Sequence, residues 1–157
     1  PAALSLQANV AATLMLTIGC LLTGWATDRF GTKAVMIVGW GGMTVTAYLF
    51  YLGLPGTPTS LIAMYALVGF FVGSISLLPI VGVRAFPPAV RFSGLSFSYN
   101  MAYAVFGGLT PVLISVGQQY DHLFPAHYVG AMGLLGVALA FWPLSYKGWQ
   151  VRDGAKS

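Results

Sequence analysis

The sequence predicts an all-α membrane protein with five transmembrane helices, and three observations support this fold class. Only 6% of the 157 residues are charged, and 57% are hydrophobic. The mean hydropathy is +0.81, and residues 1–27 and 34–83 contain no charge. A soluble globular domain has about 25% charged residues, so this chain has too few to cover a surface that faces water. Its outer surface is therefore expected to face lipid.

The lengths of the uncharged stretches and the helix-ending residues between them give the spans. A helix crosses the hydrocarbon layer in about 20 residues, so 34–83 holds two crossings. The break falls at 53–60, which reads GLPGTPTS. Polar links follow at 84–91 and 118–127. The predicted spans are 6–26, 34–51, 60–83, 92–116 and 128–146, with a polar tail at 147–157.

The basic residues predict the orientation of the chain. All seven follow the first, third or fifth span: Arg29, Lys33, Arg84, Arg91, Lys147, Arg152 and Lys156. By the positive-inside rule that side is the cytoplasm. The sequence therefore predicts a multi-pass protein of the cell (inner) membrane, with its N-terminus outside and its C-terminus in the cytoplasm. Scattered basic residues favour lipid headgroups as partners and form no patch for nucleic acid.

A polar stripe runs along the fourth predicted span. Its members recur at three- and four-residue spacings and share one helical face: Ser96, Tyr99, Asn100, Tyr103, Gly107 and Thr110. Such groups are costly inside a bilayer unless they meet water or polar partners. One interpretation is the wall of a hydrated solute pathway, with Asn100 both donating and accepting hydrogen bonds. The other is hydrogen bonding between helices. Both stay open on the sequence alone.

Small residues predict close helix packing elsewhere. Gly69 and Gly73 lie four residues apart in the third span, and the fifth span contains Gly130, Gly133 and Gly136. Packing inside one bundle is favoured over a dimer face.

The chain lacks the residues that several kinds of catalysis and metal binding require. The chain has no glutamate, and its three aspartates lie outside the predicted spans. His122 and His127 have no third ligand for a metal site. No nucleophile–base pair, phosphate-binding glycine loop or carboxylate pair is present. We therefore expect no enzymatic activity, no metal and no cofactor.

The link after the first span resembles a motif of the major facilitator superfamily. It reads GWATDRFGTK at 24–33, similar to the G-x-x-x-D-R-x-G-R-K/R loop between helices 2 and 3 of those transporters. Thr32 replaces a usual basic residue, which suits the weaker copy between helices 8 and 9. Asp28 is expected to pair with a basic residue or a helix N-terminus, and the glycines to allow close packing. The resemblance implies an inner gate formed by Gly24, Asp28, Arg29, Gly31 and Lys33.

A second segment gives a more specific resemblance. Residues 86–111 read FPPAVRFSGLSFSYNMAYAVFGGLTP and resemble helices 10 to 11 of the metabolite:proton symporter branch, which carries proline and betaine, citrate, 2-oxoglutarate or shikimate. The five spans would then be helices 8 to 12, a partial C-terminal bundle, with the N-terminal half absent from this chain. The resemblance implies that Arg91 belongs to the inner gate and that the coupling ion is a proton, whose acidic residue lies in the absent half. The polar stripe of the fourth span supplies the expected solute contacts, at Ser96, Tyr99, Asn100 and Tyr103.

The function predicted from these features is proton-coupled symport of a small organic acid or zwitterionic metabolite. Alternating access is the expected mechanism, in which two bundles rock around a midplane site. The expected partners are the solute, membrane lipid and the missing N-terminal half. The alternatives are a uniporter or drug exporter of the same fold and a non-transporting five-helix scaffold.

Overall fold

The computed structural model describes residues 2–53 and 58–141, and these stretches contain six α-helices, two short 3-10 segments and no strand. The helices are α1 (Ala2–Phe30), α2 (Thr32–Leu52), α3 (Pro58–Val72), α4 (Leu77–Ala85), α5 (Arg91–Gly117) and α6 (Phe124–Leu139). The predicted all-α class is confirmed. The predicted tail and the last part of the fifth predicted span, 142–146, lie outside the described residues.

Four stretches of the described chain are long and apolar enough to cross a membrane: Ala3–Phe30, Thr32–Leu52, Ser60–Val83 and Pro88–Gly117. Each of the first four predicted spans lies within one of them. The third stretch consists of α3 and α4, which are joined by the 3-10 segment Gly73–Ser76. Pro79 accounts for this change, because proline has no N–H to donate to the carbonyl of Ile75 four residues earlier.

The fifth helix begins earlier than predicted. α6 begins at Phe124 rather than at residue 128, because Pro125 occupies the first turn, where no intrahelical N–H donor is needed. The N–H of Leu123 donates to the Asp121 carboxylate (2.9 Å) just before the helix. The link at 118–127 is therefore shorter than its polar composition indicated. At 16 residues, α6 is shorter than the four candidate spans.

The exposed surface is rich in large apolar side chains. Leu21 is 72% exposed and Phe92 is 87% exposed, whereas Ala8 and Ala126 are almost fully buried. Small residues thus occupy the helix contacts while large apolar ones point outward, because lipid is as apolar as they are. This is the surface of a multi-pass membrane protein.

The backbones of α1 and of the third span are in direct contact. A methyl group added at Gly73 would lie 2.6 Å from the carbonyl carbon of Gly19 and 2.7 Å from the amide nitrogen of Cys20. A methyl group at Gly69 would lie 2.8 Å from the carbonyl carbon of Ala12. Only glycine fits at such distances. The predicted close approach at Gly69 and Gly73 inside one bundle is confirmed.

Helix α2 lies between the third span and α6. Gly39 faces Ser74 in the 3-10 segment, and Gly42 faces the ring of Phe71. On the other side three glycines of α6 face α2 side chains: Gly130 meets Tyr48, Gly133 meets Thr44, and Gly136 meets Trp40. The predicted close approach at these glycines of the fifth span is also confirmed.

Side-chain contacts join α2 to α6 and its flanking residues near both ends of the two helices. The hydroxyl of Tyr48 lies 2.8 Å from His127 Nδ1, and His127 Nε2 lies 3.1 Å from the Asp121 carboxylate. At the opposite ends of the same two helices, Lys33 Nζ lies 4.5 Å from the centre of the Phe141 ring, a cation–π distance. The two helices are therefore joined at both ends as well as along their glycine contacts.

Helix α5 contacts its neighbours mainly toward its two ends. Near its start Gly94 faces the ring of Phe86, and at its end Gly117 faces the ring of Phe124. Between these points almost every α5 side chain is exposed within the described chain. The middle of α5 therefore stands away from the bundle of α1, α2, α3 and α6.

We predict that Gly73→Ala destabilises the protein while Gly41→Ala does not. The added methyl group at Gly73 would overlap backbone atoms of α1 that cannot rotate away, and overpacking of this kind costs about 1–3 kcal/mol. Gly41 lies on α2 with no neighbouring atom within 4 Å of an added methyl group. The check is the midpoint of thermal unfolding in detergent, followed by circular dichroism. Equal midpoints for the two variants would contradict the backbone contact.

Candidate functional site

A cavity of about 610 Å³ lies between the third span and α5. It exists because α5 touches its neighbours at its ends and leaves a gap along its middle. Ile75 of the 3-10 segment and Leu78 of α4 form one wall. The α5 wall consists of Leu95, Ser98, Tyr99, Ala102, Tyr103, Phe106, Gly107, Thr110 and Pro111. No lining residue in the part of the chain that the structure describes carries a charge.

Two tyrosines dominate the α5 wall. The ring centres of Tyr99 and Tyr103 lie 4.9 Å apart, with the ring planes inclined by 41°. Their hydroxyls lie 3.5 Å apart, at the limit of a hydrogen bond. Tyr99 is 39% exposed and Tyr103 is 58% exposed. The pair can therefore offer a ligand both aromatic surface and hydroxyl groups.

The outer part of α5 adds two further polar groups. The Thr110 hydroxyl lies 2.7 Å from the Tyr128 hydroxyl of α6, which fixes this part of the wall to α6. Pro111, inside α5, has no N–H to donate, so the Gly107 carbonyl lacks its usual helical partner. Both Gly107 and Pro111 line the cavity.

The structure divides the predicted polar stripe into two groups. Tyr99, Tyr103, Gly107 and Thr110 line the cavity, whereas Ser96 and Asn100 do not. Asn100 is exposed, and its Nδ2 donates to the Ser96 carbonyl one turn earlier (2.8 Å). The side-chain oxygen of Asn100 remains as an acceptor beside the cavity. The proposed solute contacts at Ser96 and Asn100 stay predictions.

Some cavity residues were missed by sequence reasoning. Ser98, Ala102 and Phe106 line the cavity and follow one another at four-residue spacing, directly beside the predicted stripe. This spacing could have been recognised in the sequence, because it adds a second line of residues beside the predicted stripe on the same side of the helix. Ile75 and Leu78 had no such signal, because an apolar residue in an apolar span does not show which helix it will face.

The turn at 24–33 has a clear local geometry. α1 ends at Phe30, Gly31 has a φ of +83°, and α2 begins at Thr32. This left-handed backbone favours glycine, which explains Gly31 in the motif. Asp28 and Arg29 are exposed.

Within the described residues, no basic side chain lies within salt-bridge distance of the Asp28 carboxylate, and the nearby cation Lys33 is directed toward Phe141. The other expected partner of Asp28, a helix N-terminus, stays a prediction. The close packing expected at Gly24 is wrong within the described residues, because no neighbouring atom lies within 4 Å of an added methyl group there. Arg91 begins α5 and is half-buried. The assignment of these residues to an inner gate stays a prediction.

The chain is similar in sequence to several bacterial transporters. It is 29% identical over 133 residues to a Staphylococcus aureus protein named as a proline/betaine transporter. It is 30% identical over 119 residues to a citrate-proton symporter of Klebsiella pneumoniae and 33% identical over 145 residues to an ectoine/proline transporter of Corynebacterium glutamicum. These matches cover 82%, 73% and 85% of this chain, respectively. No family model and no solved structure matches.

The matched part is a small portion of each relative. The chain spans 28% of the S. aureus and C. glutamicum proteins and 27% of the K. pneumoniae protein. The relatives are members of the major facilitator superfamily, and the resemblance of the two motifs pointed to the same group. Over the part that it shares with these transporters, the chain is similar to members of the major facilitator superfamily.

Proposed function

We propose that this chain is the C-terminal part, helices 8 to 12, of a proton-coupled symporter for a small organic acid or zwitterionic metabolite. The observation that carries the proposal is the cavity beside α5, where hydroxyls and aromatic rings line a space between two membrane-crossing segments. Its volume falls within the range of about 300–1,000 Å³ that is typical of small-molecule sites. The names of the relatives support a solute of this class.

In the proposed mechanism the cavity is one wall of a central site. A second bundle, in the part of the transporter that this chain does not contain, would form the opposite wall. Rocking of the two bundles would expose the site to each side of the membrane in turn. Tyr99 and Tyr103 would contact the solute from the cavity, with Asn100 and Ser96 beside it. The turn at 24–33 and Arg91 would act at the inner gate.

Proton coupling is proposed to depend on an acidic residue outside this chain. The five predicted spans contain no Asp, Glu, Lys or Arg. A proton carried across the bilayer needs a titratable group at membrane depth. The proton is the proposed coupling ion, and no other cofactor is proposed.

The first test is solute uptake by the complete transporter in proteoliposomes. We expect labelled proline, glycine betaine or citrate to accumulate against its gradient when the outside is more acidic. With one proton per solute, a gradient of one pH unit would support about tenfold accumulation, because one unit corresponds to about 1.4 kcal/mol. A protonophore should abolish the accumulation. Uptake that only equilibrates and ignores the protonophore would instead identify a uniporter.

The second test concerns Asn100. We expect Asn100→Ala to weaken the apparent affinity for solute by about three- to tenfold, the effect of losing one hydrogen bond of about 0.5–1.5 kcal/mol. Gln118→Ala is the matched control, because Gln118 is also an exposed amide but follows α5, about five helical turns beyond Asn100 and away from Tyr99 and Tyr103. Initial uptake rates over a range of solute concentrations give both affinities. Unchanged uptake in Asn100→Ala would remove this residue from the pathway.

The third test concerns orientation, for which we propose an outer N-terminus and a cytoplasmic C-terminus. In a Cys20→Ala background, Gln119→Cys should react with a membrane-impermeant maleimide in intact cells, and Ala89→Cys should react only after permeabilisation. Both positions are exposed, in the α5–α6 and α4–α5 links. The reverse labelling pattern would contradict the proposed orientation.

A further inference from the structure

We propose that Tyr48, Asp121 and His127 form a pH-responsive clasp, which joins α2 to α6 and to the α5–α6 link and tightens when His127 gains its second proton. The three residues lie outside the cavity lining. The clasp is a conformational device of the fold. It goes beyond the proposed function, because it depends neither on the solute nor on the direction of transport.

Asp121 holds the end of α5 to the start of α6. Its N–H donates to the carbonyl of Gly117, the last residue of α5 (2.9 Å). Its carbonyl accepts from the N–H of Phe124, the first residue of α6 (3.0 Å). One carboxylate oxygen accepts from the N–H of Leu123 (2.9 Å), and the other lies 3.1 Å from His127 Nε2. The carboxylate is therefore fixed by the backbone of the link and directed at the histidine ring.

His127 extends this connection to α2. Its Nε2 faces the Asp121 carboxylate, and its Nδ1 lies 2.8 Å from the Tyr48 hydroxyl. An ionised carboxylate only accepts hydrogen bonds, so Nε2 must hold the proton of the neutral ring, and Nδ1 then accepts from Tyr48. In the imidazolium form both nitrogens donate, and the Tyr48 oxygen becomes the acceptor. Both contacts are thus available in both forms, with the direction of one reversed.

The second proton strengthens the clasp because it turns the contact between His127 and Asp121 into an ion pair. Apart from histidines, Asp121 is the only charged residue in 34–83 and 92–146, so these stretches offer it no lysine or arginine. The titratable groups that face the ring are Asp121 from the link and Tyr48 from α2. The last turns of α5 and the rest of α6 contribute no charged side chain.

The clasp also bears on the cavity wall. Tyr128, the residue after His127, lies 2.7 Å from the hydroxyl of Thr110 on that wall. Fixing the start of α6 against α2 therefore fixes a support of the wall as well. Under the proposed orientation this end of the protein faces the outside. External pH would then act on the wall through a group that does not line the cavity.

The experiment follows the mobility of the α5–α6 link in the purified complete transporter, with its native cysteines replaced. A nitroxide spin label is attached at Gln119→Cys, an exposed position in the link. Its spectrum separates immobilised from mobile label. Spectra at pH 8 and pH 5 bracket the range over which histidine ordinarily titrates, whereas aspartate is ordinarily ionised at both values.

We expect the ratio of immobilised to mobile label to rise about two- to fivefold from pH 8 to pH 5. This is the range for an ion pair between solvent-exposed groups. The side chains of His127 and Asp121 are 49% and 45% exposed, so water screens their attraction.

Three variants separate the clasp from other effects of pH on the transporter. His127→Gln keeps hydrogen-bonding groups but cannot be charged, and Asp121→Asn removes the negative charge while keeping an oxygen for the N–H of Leu123. Each is expected to abolish the rise in the ratio. His122→Gln is the matched control, because His122 is an exposed histidine next to Asp121 in sequence and is not part of the clasp. It should keep the rise.

A ratio that stays constant or falls between pH 8 and pH 5 without these three substitutions would overturn the clasp. So would a rise that persists in either His127→Gln or Asp121→Asn, or one that His122→Gln also removes. The spectra are recorded without solute. The expected ratios in a protein that shows no solute uptake in proteoliposomes would therefore support the clasp and contradict only the proposed function.

Discussion

The backbone contact between α1 and the third span is the constraint on which the cavity depends. Helices in lipid gain little from hiding apolar surface, so close packing must hold them together. Gly69 and Gly73 allow that packing against α1, and Gly39 of α2 accommodates Ser74. The first part of the third span is thereby fixed from two sides. Beyond the 3-10 segment, α4 leaves this contact and leads through the link at Phe86 to α5. The cavity opens where the tightly packed part of the span ends.

The helices could be predicted from the sequence because lipid imposes a simple rule. Every stretch long enough to cross must avoid charge, so the charged links, together with the glycine- and proline-rich break at 53–60, mark where the helices begin and end. The same rule fails at the start of α6, where polar residues from Gln118 to His127 suggested a loop. Pro125 in the first turn and the hydrogen bond from Leu123 N–H to Asp121 begin the helix inside that polar stretch. The proline in the first turn and the local turn at Asp121 outweigh composition over so short a distance.

The candidate site was predictable on one side only. Spacing along α5 placed Tyr99, Tyr103 and Thr110 on one face, and the structure brings all three to the cavity. Asn100 lies on the edge of that face, and its amide is partly satisfied by the carbonyl of Ser96. The opposite wall could not be predicted, because helix pairing in a membrane depends on where small residues permit contact. The backbone contact at Gly73 and the change of helix type near Pro79 determine that Ile75 and Leu78 face the cavity. Neither Gly73 nor Pro79 itself lines the cavity.

The uncharged character of this wall suggests how binding and coupling would be divided under the proposed function. An ionisable group close to the tyrosine rings would hold its charge at a high cost in this apolar surrounding, or would change the charge that the site presents to the solute. The cavity wall in the described residues contains no Asp, Glu, Lys, Arg or His, so it presents the solute with rings, hydroxyls and apolar side chains only. Solute recognition on this wall can then stay constant while a separate group gains and loses the proton. Movement of the two bundles, rather than direct contact between proton and solute, would link the two events.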